Sequence, residues 1–303
     1  MTQNLNELNK KYAIAGHVAF KQAENGLISI EVTNACSSAT IQLQGANISR
    51  WGLADQPAVI WVSDDAVFAA GKSLRGGVPI CWPWFGAHES DASLPGHGFA
   101  RTVPWQLVET KLLNDDVVQL VFSIVNNDAT RAMWPHATEL NYVVTMGQSL
   151  ELDLVTHNTG STAVTIGDAL HTYFNVSDVR HVAVQGLDGC EYLDKVDGFK
   201  SKRQTGAVTI NEEVDRVYLD TSADCLIEDP GFKRRIVIAK RGSHSTVVWN
   251  PWLETATKMG DLGKDGYLHM LCVESANAVT DVVKLDPGEE HHLWVSYSVE
   301  SMD

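Results

Sequence analysis

Two residues, far apart in the chain, have side chains suited to moving protons. His171 follows an alternating run, and histidine is the natural proton donor and acceptor near neutral pH. Glu274 interrupts an apolar run, and a carboxylate in apolar surroundings acquires a raised pKa that suits a general base. A lone histidine in a strand is more often a structural hydrogen-bonding group, and a glutamate can face solvent at a sheet edge. Residue type alone leaves both interpretations open.

A second group of candidates lies in residues 72–101, a segment with little strand character and much glycine, proline and tryptophan. Long irregular loops in compact domains tend to be functional. Arg75 precedes two glycines, which allow a tight turn or a close approach to a ligand. Arg75 and Arg101 could together bind an oxyanion through charge-assisted hydrogen bonds, and His97 lies four residues before Arg101. The equal alternative is a loop whose aromatic residues plug a barrel end and whose arginines pair with acidic neighbours.

Aromatic residues of this loop, and one acidic residue further on, are candidate sugar contacts. Trp82, Trp84 and Phe85 offer flat apolar faces suited to a sugar ring. Asp215 and Arg216 lie in an acidic segment that turns apolar, and Asp215 or Arg216 could contact hydroxyl groups or a phosphate. A solvated turn before a strand is the more common arrangement for such a segment.

The elements that must position these residues are mainly β-strands. Residues 150–156 alternate apolar and polar side chains, as a half-buried strand does, and residues 117–125 are rich in apolar β-branched residues. Residues 226–249 are typical of two strands that turn back on each other. Helical periodicity is weak, and its best candidates are short, around Leu5–Lys11 and Asp64–Ala70. Many short strands separated by turn signals predict an all-β sandwich or barrel.

Composition and charge exclude several classes of protein. The 303 residues are 44% hydrophobic and 20% charged, which excludes a disordered chain, a collagen and a charge-rich coiled coil. No apolar run approaches the roughly 18 residues of a membrane-spanning helix, and the first residues lack the apolar region of a signal peptide. With 23 basic and 38 acidic residues, the net charge of −15 disfavours nucleic acid and anionic membranes as partners. We therefore expect a cytoplasmic protein.

The usual metal and nucleotide motifs are missing from the sequence. The five cysteines are widely spaced without a C-x-x-C pair, which argues against a disulfide scaffold or a structural zinc site. His291 and His292 are adjacent, so a strand would point them to opposite faces. Neither a Walker loop nor a G-x-G-x-x-G motif occurs. We expect neither a metal nor a cofactor.

Several motifs together resemble those of the hexose-6-phosphate mutarotases, also called glucose-6-phosphate 1-epimerases, which are relatives of aldose 1-epimerase (galactose mutarotase). In chain order they are Arg75-Gly-Gly-Val-Pro-Ile-Cys-Trp-Pro-Trp-Phe-Gly, Pro95-Gly-His-Gly-Phe-Ala-Arg, Trp105, His171-Thr-Tyr-Phe, Asp215-Arg-Val-Tyr, Asn250-Pro-Trp and Glu274-Ser-Ala-Asn. These motifs follow the same order as in the family and span most of the chain.

The resemblance implies a fold, an activity and a set of residue roles. The fold would be a single galactose mutarotase-like domain over residues 1–303, a β-supersandwich of two large antiparallel sheets packed face to face, with residues 1–12 as a short N-terminal extension. The activity would be cofactor-free interconversion of the α and β anomers at C1 of a hexose 6-phosphate, chiefly glucose 6-phosphate, by an isomerase. The implied roles are Glu274 as base, His171 as acid, His97 and Asp215 as ligands of the sugar hydroxyls or ring oxygen, and Arg75 and Arg101 as phosphate ligands.

The residue types fit this chemistry. Anomerisation takes a proton from the C1 hydroxyl and gives one to the ring oxygen, after which the open aldehyde turns about C1–C2 and the ring closes again. One carboxylate and one imidazole suffice, each worth about 10²–10⁴ in rate. We expect a resting state with Glu274 ionised and His171 protonated, because a buried carboxylate helps to keep an imidazolium charged.

Three alternative functions remain. The first is an aldose 1-epimerase acting on unphosphorylated hexoses; in such relatives, an arginine at the Arg75 position contacts the sugar itself. The second is a retaining glycosidase, which would need two carboxylates about 5–5.5 Å apart where the motifs offer a histidine and a glutamate. The third is a non-catalytic carbohydrate-binding sandwich. We expect a monomer whose partner is a small-molecule sugar phosphate.

Overall fold

The structure, a computed structural model, describes residues 4–302 and consists mainly of β-strands. The strands in chain order are β1 (Val18–Gln22), β2 (Ile28–Thr33), β3 (Ser37–Gln42), β4 (Asn47–Leu53), β5 (Ile80–Cys81), β6 (Trp105–Asn114), β7 (Val117–Ile124), β8 (Thr138–Met146), β9 (Leu150–Asn158), β10 (Val164–Ile166), β11 (Asp168–Leu170), β12 (Tyr173–Asn175), β13 (Ala183–Gln185), β14 (Glu191–Asp194), β15 (Lys200–Arg203), β16 (Val208–Thr209), β17 (Val214–Tyr218), β18 (Cys225–Asp229), β19 (Arg234–Arg241), β20 (Ser245–Asn250), β21 (Met270–Asn277), β22 (Val283–Leu285) and β23 (Glu290–Ser301). The helices are α1 (Leu5–Tyr12), α2 (Asp128–Met133) and α3 (Trp252–Met259), with single 3-10 turns at Ala100–Thr102, Val179–His181 and Gly266–Leu268.

Two large sheets dominate the architecture. One has nine strands in the order β16-β13-β18-β19-β23-β9-β8-β7-β6, and the other has eight, in the order β15-β14-β17-β20-β21-β11-β5 with β12 also paired to β21. Strands β1–β4 form a smaller sheet, and β10 pairs with β22. Every strand pairing within residues 4–302 is antiparallel. The predicted all-β, antiparallel supersandwich is confirmed.

The two large sheets share one apolar core. Leu152 and Leu293 of the nine-stranded sheet belong to the same buried cluster as Leu170 and Val273 of the eight-stranded sheet. Strand β9 shows the underlying pattern, since its side chains alternate strictly between buried and half-buried positions. Each fully buried aliphatic side chain contributes about 1.5–3 kcal/mol. This shared core fixes the position of the eight-stranded sheet and leaves its other face available for a site.

Strand β21 departs from this alternation, because all eight of its residues are buried. It lies inside the eight-stranded sheet between β20 on one side and β11 and β12 on the other. One face packs into the shared core through Val273, and the opposite face carries Cys272 and Glu274. A polar group on such a strand is therefore removed from bulk water.

One of the two predicted helices is confirmed. The side chain of Asn4 accepts a hydrogen bond from the Glu7 backbone N–H and caps α1, which buries Leu8 and Tyr12. The helix predicted at Asp64–Ala70 is wrong. That segment is an open loop because distant side chains bind its carbonyls: Asn25 donates to Phe68 O and Gln44 donates to Ala69 O. Within residues 4–302, no helix is long and apolar enough to cross a membrane.

Residues 226–249, predicted as two strands that turn back on each other, contain three strands, and the prediction holds only for β18 and β19. Strands β18 and β19 pair as an antiparallel hairpin. Strands β19 and β20 do not pair, because the chain leaves the nine-stranded sheet and β20 joins the eight-stranded one. Gly242 makes this crossing with φ +77°, and a Cβ there would lie 1.8 Å from the His292 carbonyl oxygen.

Candidate active site

A cavity opens on the face of the eight-stranded sheet that is turned away from the shared core. Its empty volume is about 810 Å³, including the solvent-open mouth. It is lined by side chains from strands and loops that are distant in sequence: Ser73, Leu74, Arg75, Pro79, Phe85, His97, Arg101, His171, Tyr173, Lys195, Asp215, Val247, Trp249, Met259 and Glu274. The six residues that the sequence predicted as acid, base or polar ligands therefore line one cavity, together with one of the three predicted aromatic residues.

The register of β21 places His171 opposite Glu274. Leu170 pairs with Ser275 and Tyr173 pairs with Cys272, so the two residues between β11 and β12 face Val273 and Glu274. The ladder is interrupted there, because the His171 backbone N–H donates to Pro79 O instead of to β21. His171 Nε2 lies 3.4 Å from Glu274 Oε1. The interruption frees an imidazole to face the cavity directly beside the carboxyl group.

Aromatic rings hold the His171 imidazole in place. Tyr173 stacks on it with 5.0 Å between ring centroids and an interplanar angle of 12°, and Trp249 meets it edge-on at 5.7 Å. Tyr173 is itself stacked on Trp61 at 6.0 Å. The imidazole is thereby aligned without a hydrogen bond at Nδ1, which is buried and unpartnered among residues 4–302.

Burial sets the protonation of the His171–Glu274 pair. Burial, followed by the charge of Asp215, raises the pKa of Glu274 well above its usual value. Burial lowers the pKa of His171 well below its usual value, and His97 and Arg101 lower it further. Both shifts oppose the expected resting state of carboxylate and imidazolium. They favour a neutral pair with its proton on Glu274, because such a pair avoids two charges in a site remote from water.

His97 approaches the cavity from the irregular loop in a left-handed conformation, with φ +63°. Such a backbone is uncommon for a residue other than glycine, and it is often found at functional sites. The Gly86 backbone N–H donates to His97 Nδ1 at 3.3 Å, so the neutral ring carries its proton on Nε2. Burial, with Arg101 and Lys195, lowers the pKa of His97 to about 3. This imidazole is thus a fixed neutral hydrogen-bond donor at physiological pH.

Two arginines line the cavity with different partners. Arg75 donates from Nε to Asp261 Oδ1 at 2.9 Å and from Nη1 to the Tyr173 hydroxyl at 3.1 Å. Arg101 donates from Nη2 to the Gly96 carbonyl oxygen at 2.9 Å, and it forms no ion pair with a carboxylate in the described part of the chain. Arg101 is therefore a cation that lacks a protein counter-ion.

The glycines that follow Arg75 are required by close packing. Gly76 has φ +116°, and a Cβ there would lie 2.5 Å from Val62 Cα. Gly77 has φ +78°, and its Cβ would lie 2.0 Å from Asn47 Oδ1. Only glycine allows this segment to lie against β4 and the loop at Val62. That close approach fixes where Arg75 enters the cavity.

Asp215 projects from β17 into the cavity, where Lys195 Nζ lies 2.6 Å from its Oδ2. Burial raises the pKa of Asp215 despite the attraction of Lys195. Asp215 is thus placed in the cavity wall and not in a solvated turn.

The structure places the three predicted stacking residues in different surroundings. Trp82 is buried in the shared core and donates to Thr156 Oγ1 at 3.1 Å. Trp84 is also buried, and it donates to the Pro95 carbonyl oxygen at 2.9 Å. Phe85 alone lines the cavity, where it packs edge-on against His97 at 4.7 Å. The structure therefore leaves Phe85 as the stacking candidate of this group.

Sequence reasoning missed several lining residues. Tyr173 lies within a quoted motif, and its aromatic type next to a histidine was a usable signal. Trp249 and Met259 lie on β20 and α3 in ordinary apolar surroundings. Lys195 follows β14 in a turn that resembles any charged surface turn. These residues are brought to the cavity by topology alone.

One group of donor atoms could hold a metal ion. The ligand atoms of His171, Cys272 and Glu274 lie within 4.8 Å of one another. Imidazole, thiolate and carboxylate are a donor set suited to zinc. Since His171 and Glu274 are also the residues expected to move protons, an ion there would occupy the same groups.

Solved structures share this fold. A mutarotase from Salmonella typhimurium, so described provisionally, superposes with a TM-score of 0.89 and 34% identity over 96% of each chain. A galactose mutarotase-like protein from Clostridium acetobutylicum has a TM-score of 0.72 over 97% of this chain and all of its own, at 15% identity, a likeness of fold alone. Among curated proteins, two provisionally named glucose-6-phosphate 1-epimerases are similar. That of Escherichia coli K12 is 37% identical over 262 residues, 86% of each chain, and that of Salmonella typhimurium LT2 is 40% identical over 241 residues, 79% of this chain and 80% of its own.

The supersandwich and its relatives define an isomerase of the mutarotase type, which acts on a small sugar. The family model described as aldose 1-epimerase matches residues 29–298. The chain belongs to the aldose 1-epimerase family.

Proposed function

We propose that this enzyme interconverts the α and β anomers at C1 of a hexose 6-phosphate, chiefly glucose 6-phosphate. The observation that carries the choice of a phosphorylated substrate is Arg101. It lines the same cavity as His171 and Glu274, yet no carboxylate of residues 4–302 neutralises it. A buried or half-buried cation without a counter-ion is costly, and an anionic ligand would supply the missing charge. The names of the two curated relatives support the same choice.

In the proposed mechanism, His171 and Glu274 act as one unit that holds a single proton. The reacting form has Glu274 as carboxylate and His171 as imidazolium, and one proton transfer across their 3.4 Å contact reaches it from the resting form. The negative charge of a bound phosphate favours the imidazolium, so substrate binding promotes this transfer. Glu274 then takes the C1 hydroxyl proton while His171 protonates the ring oxygen. Ring closure on the other face of C1 reverses both transfers.

Other lining residues would hold the sugar. His97 donates from Nε2, which the Gly86 contact keeps protonated, to a hydroxyl or to the ring oxygen. Asp215 accepts from a hydroxyl, and Phe85 offers an apolar face to the ring. Arg101 and Arg75 bind the phosphate by charge-assisted hydrogen bonds.

The proposal extends to the state of the enzyme in the cell. One chain supplies His171, Glu274 and the other expected ligands of the cavity, so a monomer acting as a single domain would have a complete site. A doubly charged sugar phosphate does not cross a lipid bilayer, so the enzyme would meet its substrate in the cytoplasm.

Two-dimensional exchange NMR on equilibrated glucose 6-phosphate tests the proposal directly, with free glucose and galactose in parallel. Enzyme-dependent exchange on the phosphate ester, with much less on the free sugars, is expected. Exchange on free sugars alone would transfer the assignment to unphosphorylated hexoses. Line broadening without exchange on any sugar would leave a carbohydrate-binding protein.

A further inference from the structure

Two of the three guanidinium nitrogen atoms of Arg75 already donate hydrogen bonds to protein partners. A guanidinium binds a phosphate in bidentate fashion along one of two edges, Nε with Nη2 or Nη1 with Nη2. Asp261 takes Nε, and the Tyr173 hydroxyl takes a proton of Nη1. The hydrogen bonds of the described residues leave Nη2 as the one nitrogen of this side chain without a partner. A phosphate that binds along the Nε–Nη2 edge therefore displaces Asp261, whereas a phosphate on the Nη1–Nη2 edge shares Nη1 with the Tyr173 hydroxyl.

The two partners differ in how firmly they are held. Tyr173 is 3% exposed and is stacked between His171 and Trp61. The Asp261 side chain is 36% exposed and makes a single hydrogen bond to Arg75, through one oxygen. Asp261 is thus the partner that a ligand can displace at a small free-energy cost, since an ion pair with this exposure contributes little to stability.

Asp261 lies in a backbone turn between two glycines, Gly260 and Gly263. Gly260 ends α3 in the left-handed region at φ +73°, and Gly263 has φ +72°. A Cβ on Gly260 would meet nothing within 4 Å, so glycine is there for its conformation and not for close packing. Met259, directly before this turn, lines the cavity. The turn therefore links the cavity wall to the carboxylate that covers Arg75.

We propose that Asp261 is an internal counter-ion which occupies the phosphate edge of Arg75 in the empty enzyme and is displaced by the substrate phosphate. This inference rests on the proposed function. The displacement cost lowers the affinity for inorganic phosphate and for hexose phosphate alike, so their affinity ratio is set by the sugar contacts and not by Asp261. Only the hexose phosphate offsets the cost with sugar contacts. Asp261 therefore keeps modest concentrations of inorganic phosphate from occupying the cavity.

The variant Asp261→Asn tests the proposal, with Asp65→Asn as the matched control. Asp65 is exposed and lies against the same turn, since a Cβ on Gly263 would be 3.7 Å from Asp65 Oδ2, and it makes no ion pair within residues 4–302. Both variants remove one negative charge from the same rim, but only Asp261→Asn releases Arg75. Calorimetric titration with inorganic phosphate, and exchange kinetics with glucose 6-phosphate, provide the two readouts.

Asp261→Asn is expected to bind inorganic phosphate about five- to tenfold more tightly than the unmodified enzyme. It should also lower KM for glucose 6-phosphate while leaving kcat unchanged, because Asp261 touches neither proton-moving group. Asp65→Asn should move each value less than twofold. Equal phosphate affinity in all three proteins, or a raised KM in Asp261→Asn, would overturn the counter-ion role even with exchange intact. Absence of exchange in the unmodified enzyme would instead overturn the proposed function.

Discussion

His171, between β11 and β12, lies opposite Glu274 on β21, and His171 Nε2 is 3.4 Å from Glu274 Oε1 on the cavity side of the sheet. Glu274 Oε2 and His171 Nδ1 are both buried and have no hydrogen-bond partner in residues 4–302. Buried polar atoms are nearly always paired in proteins, so their isolation here needs a reason. A neutral pair lowers the cost of that isolation, because neither group then carries an unpaired charge.

The first prediction concerns this pair. His171→Ala and Glu274→Gln should each lower kcat for anomer exchange by about 10²–10⁴, the usual value of a general acid or base. The double variant should lose little more than the worse single one, because the two groups act on one proton as a unit. Exchange NMR with subtraction of the uncatalysed rate measures all three. Unfolding temperatures and glucose 6-phosphate affinity serve as controls, and full activity in both single variants would remove the assigned roles.

The second prediction is the pH dependence of kcat/KM, which reports the protonation of the free enzyme. The pair is inactive when it gains a second proton, and burial lowers the pKa of His171, so this loss lies well below pH 6.5. It is also inactive when it loses its last proton, and burial raises the pKa of Glu274, which moves that loss towards alkaline pH. We therefore expect no enzyme group to halve kcat/KM between pH 7 and pH 6.5. Half-loss of kcat/KM at the ordinary histidine value would contradict a buried neutral imidazole.

The third prediction separates phosphate recognition from chemistry. Arg101→Gln removes the cation that lacks a carboxylate partner, and it should raise KM for glucose 6-phosphate by about 10- to 100-fold, as expected for a charge-assisted hydrogen bond. Any weak exchange on free glucose should persist. Arg50→Gln is the matched control, because Arg50 is exposed and, within residues 4–302, donates only to Ser38 Oγ. An unchanged KM in Arg101→Gln would move the phosphate elsewhere.

The fourth prediction distinguishes the aromatic residues of the irregular loop. Phe85→Ala should raise KM with a modest effect on stability, since the ring lines the cavity. Trp82→Ala should lower the free energy of unfolding by about 3–5 kcal/mol, because it leaves a void in the shared core and orphans Thr156 Oγ1. Denaturant titration and exchange kinetics on both variants check this division. A catalytic defect in well-folded Trp82→Ala protein would be evidence against it.

The fifth prediction concerns stability. Asp168 is fully buried, both of its carboxyl oxygens lack partners in the described chain, and burial, with the charge of Asp281, raises its pKa to about 8. The groups facing it are His291, at 3.8 Å, and Asn277, its pairing partner on β21. Because its folded pKa exceeds the unfolded value of 3.8, its contribution to stability is complete below pH 3.8 and is lost as pH rises to about 8.

Asp168→Asn removes this titration, so its stability relative to the unmodified enzyme should rise between pH 5 and pH 8. The increase should be at most about 1.4 kcal/mol per pH unit. Urea titrations at several pH values measure it, with the exposed Asp115→Asn as control. A stability difference that does not vary with pH would show that Asp168 titrates normally.

The sequence predicts which polar residues line the cavity better than it predicts the orientation of the aromatic residues and the protonation of the His171–Glu274 pair. The motifs around Arg75, His97, His171 and Glu274 could be recognised because each is local in sequence. The sequence does not show whether Trp82 or Phe85 faces the cavity. The two-residue period that assigns side chains to the faces of a strand is absent from an irregular loop. The protonation of the His171–Glu274 pair depends on its burial, to which aromatic rings from different strands contribute. Lys195 and Asp261 follow ordinary surface elements, so neither carried a signal of its own.

The interruption between β11 and β12 has a consequence for how such an enzyme can diversify over evolution. Glu274 lies on β21 and His171 lies in the interruption beside it, whereas Arg75, Arg101 and Asp261 are carried by loops and turns at the rim of the sheet. Loops accept substitution far more readily than a strand buried along its whole length. Descendants of this chain can therefore acquire new sugars by changing the rim while they inherit the reaction unchanged.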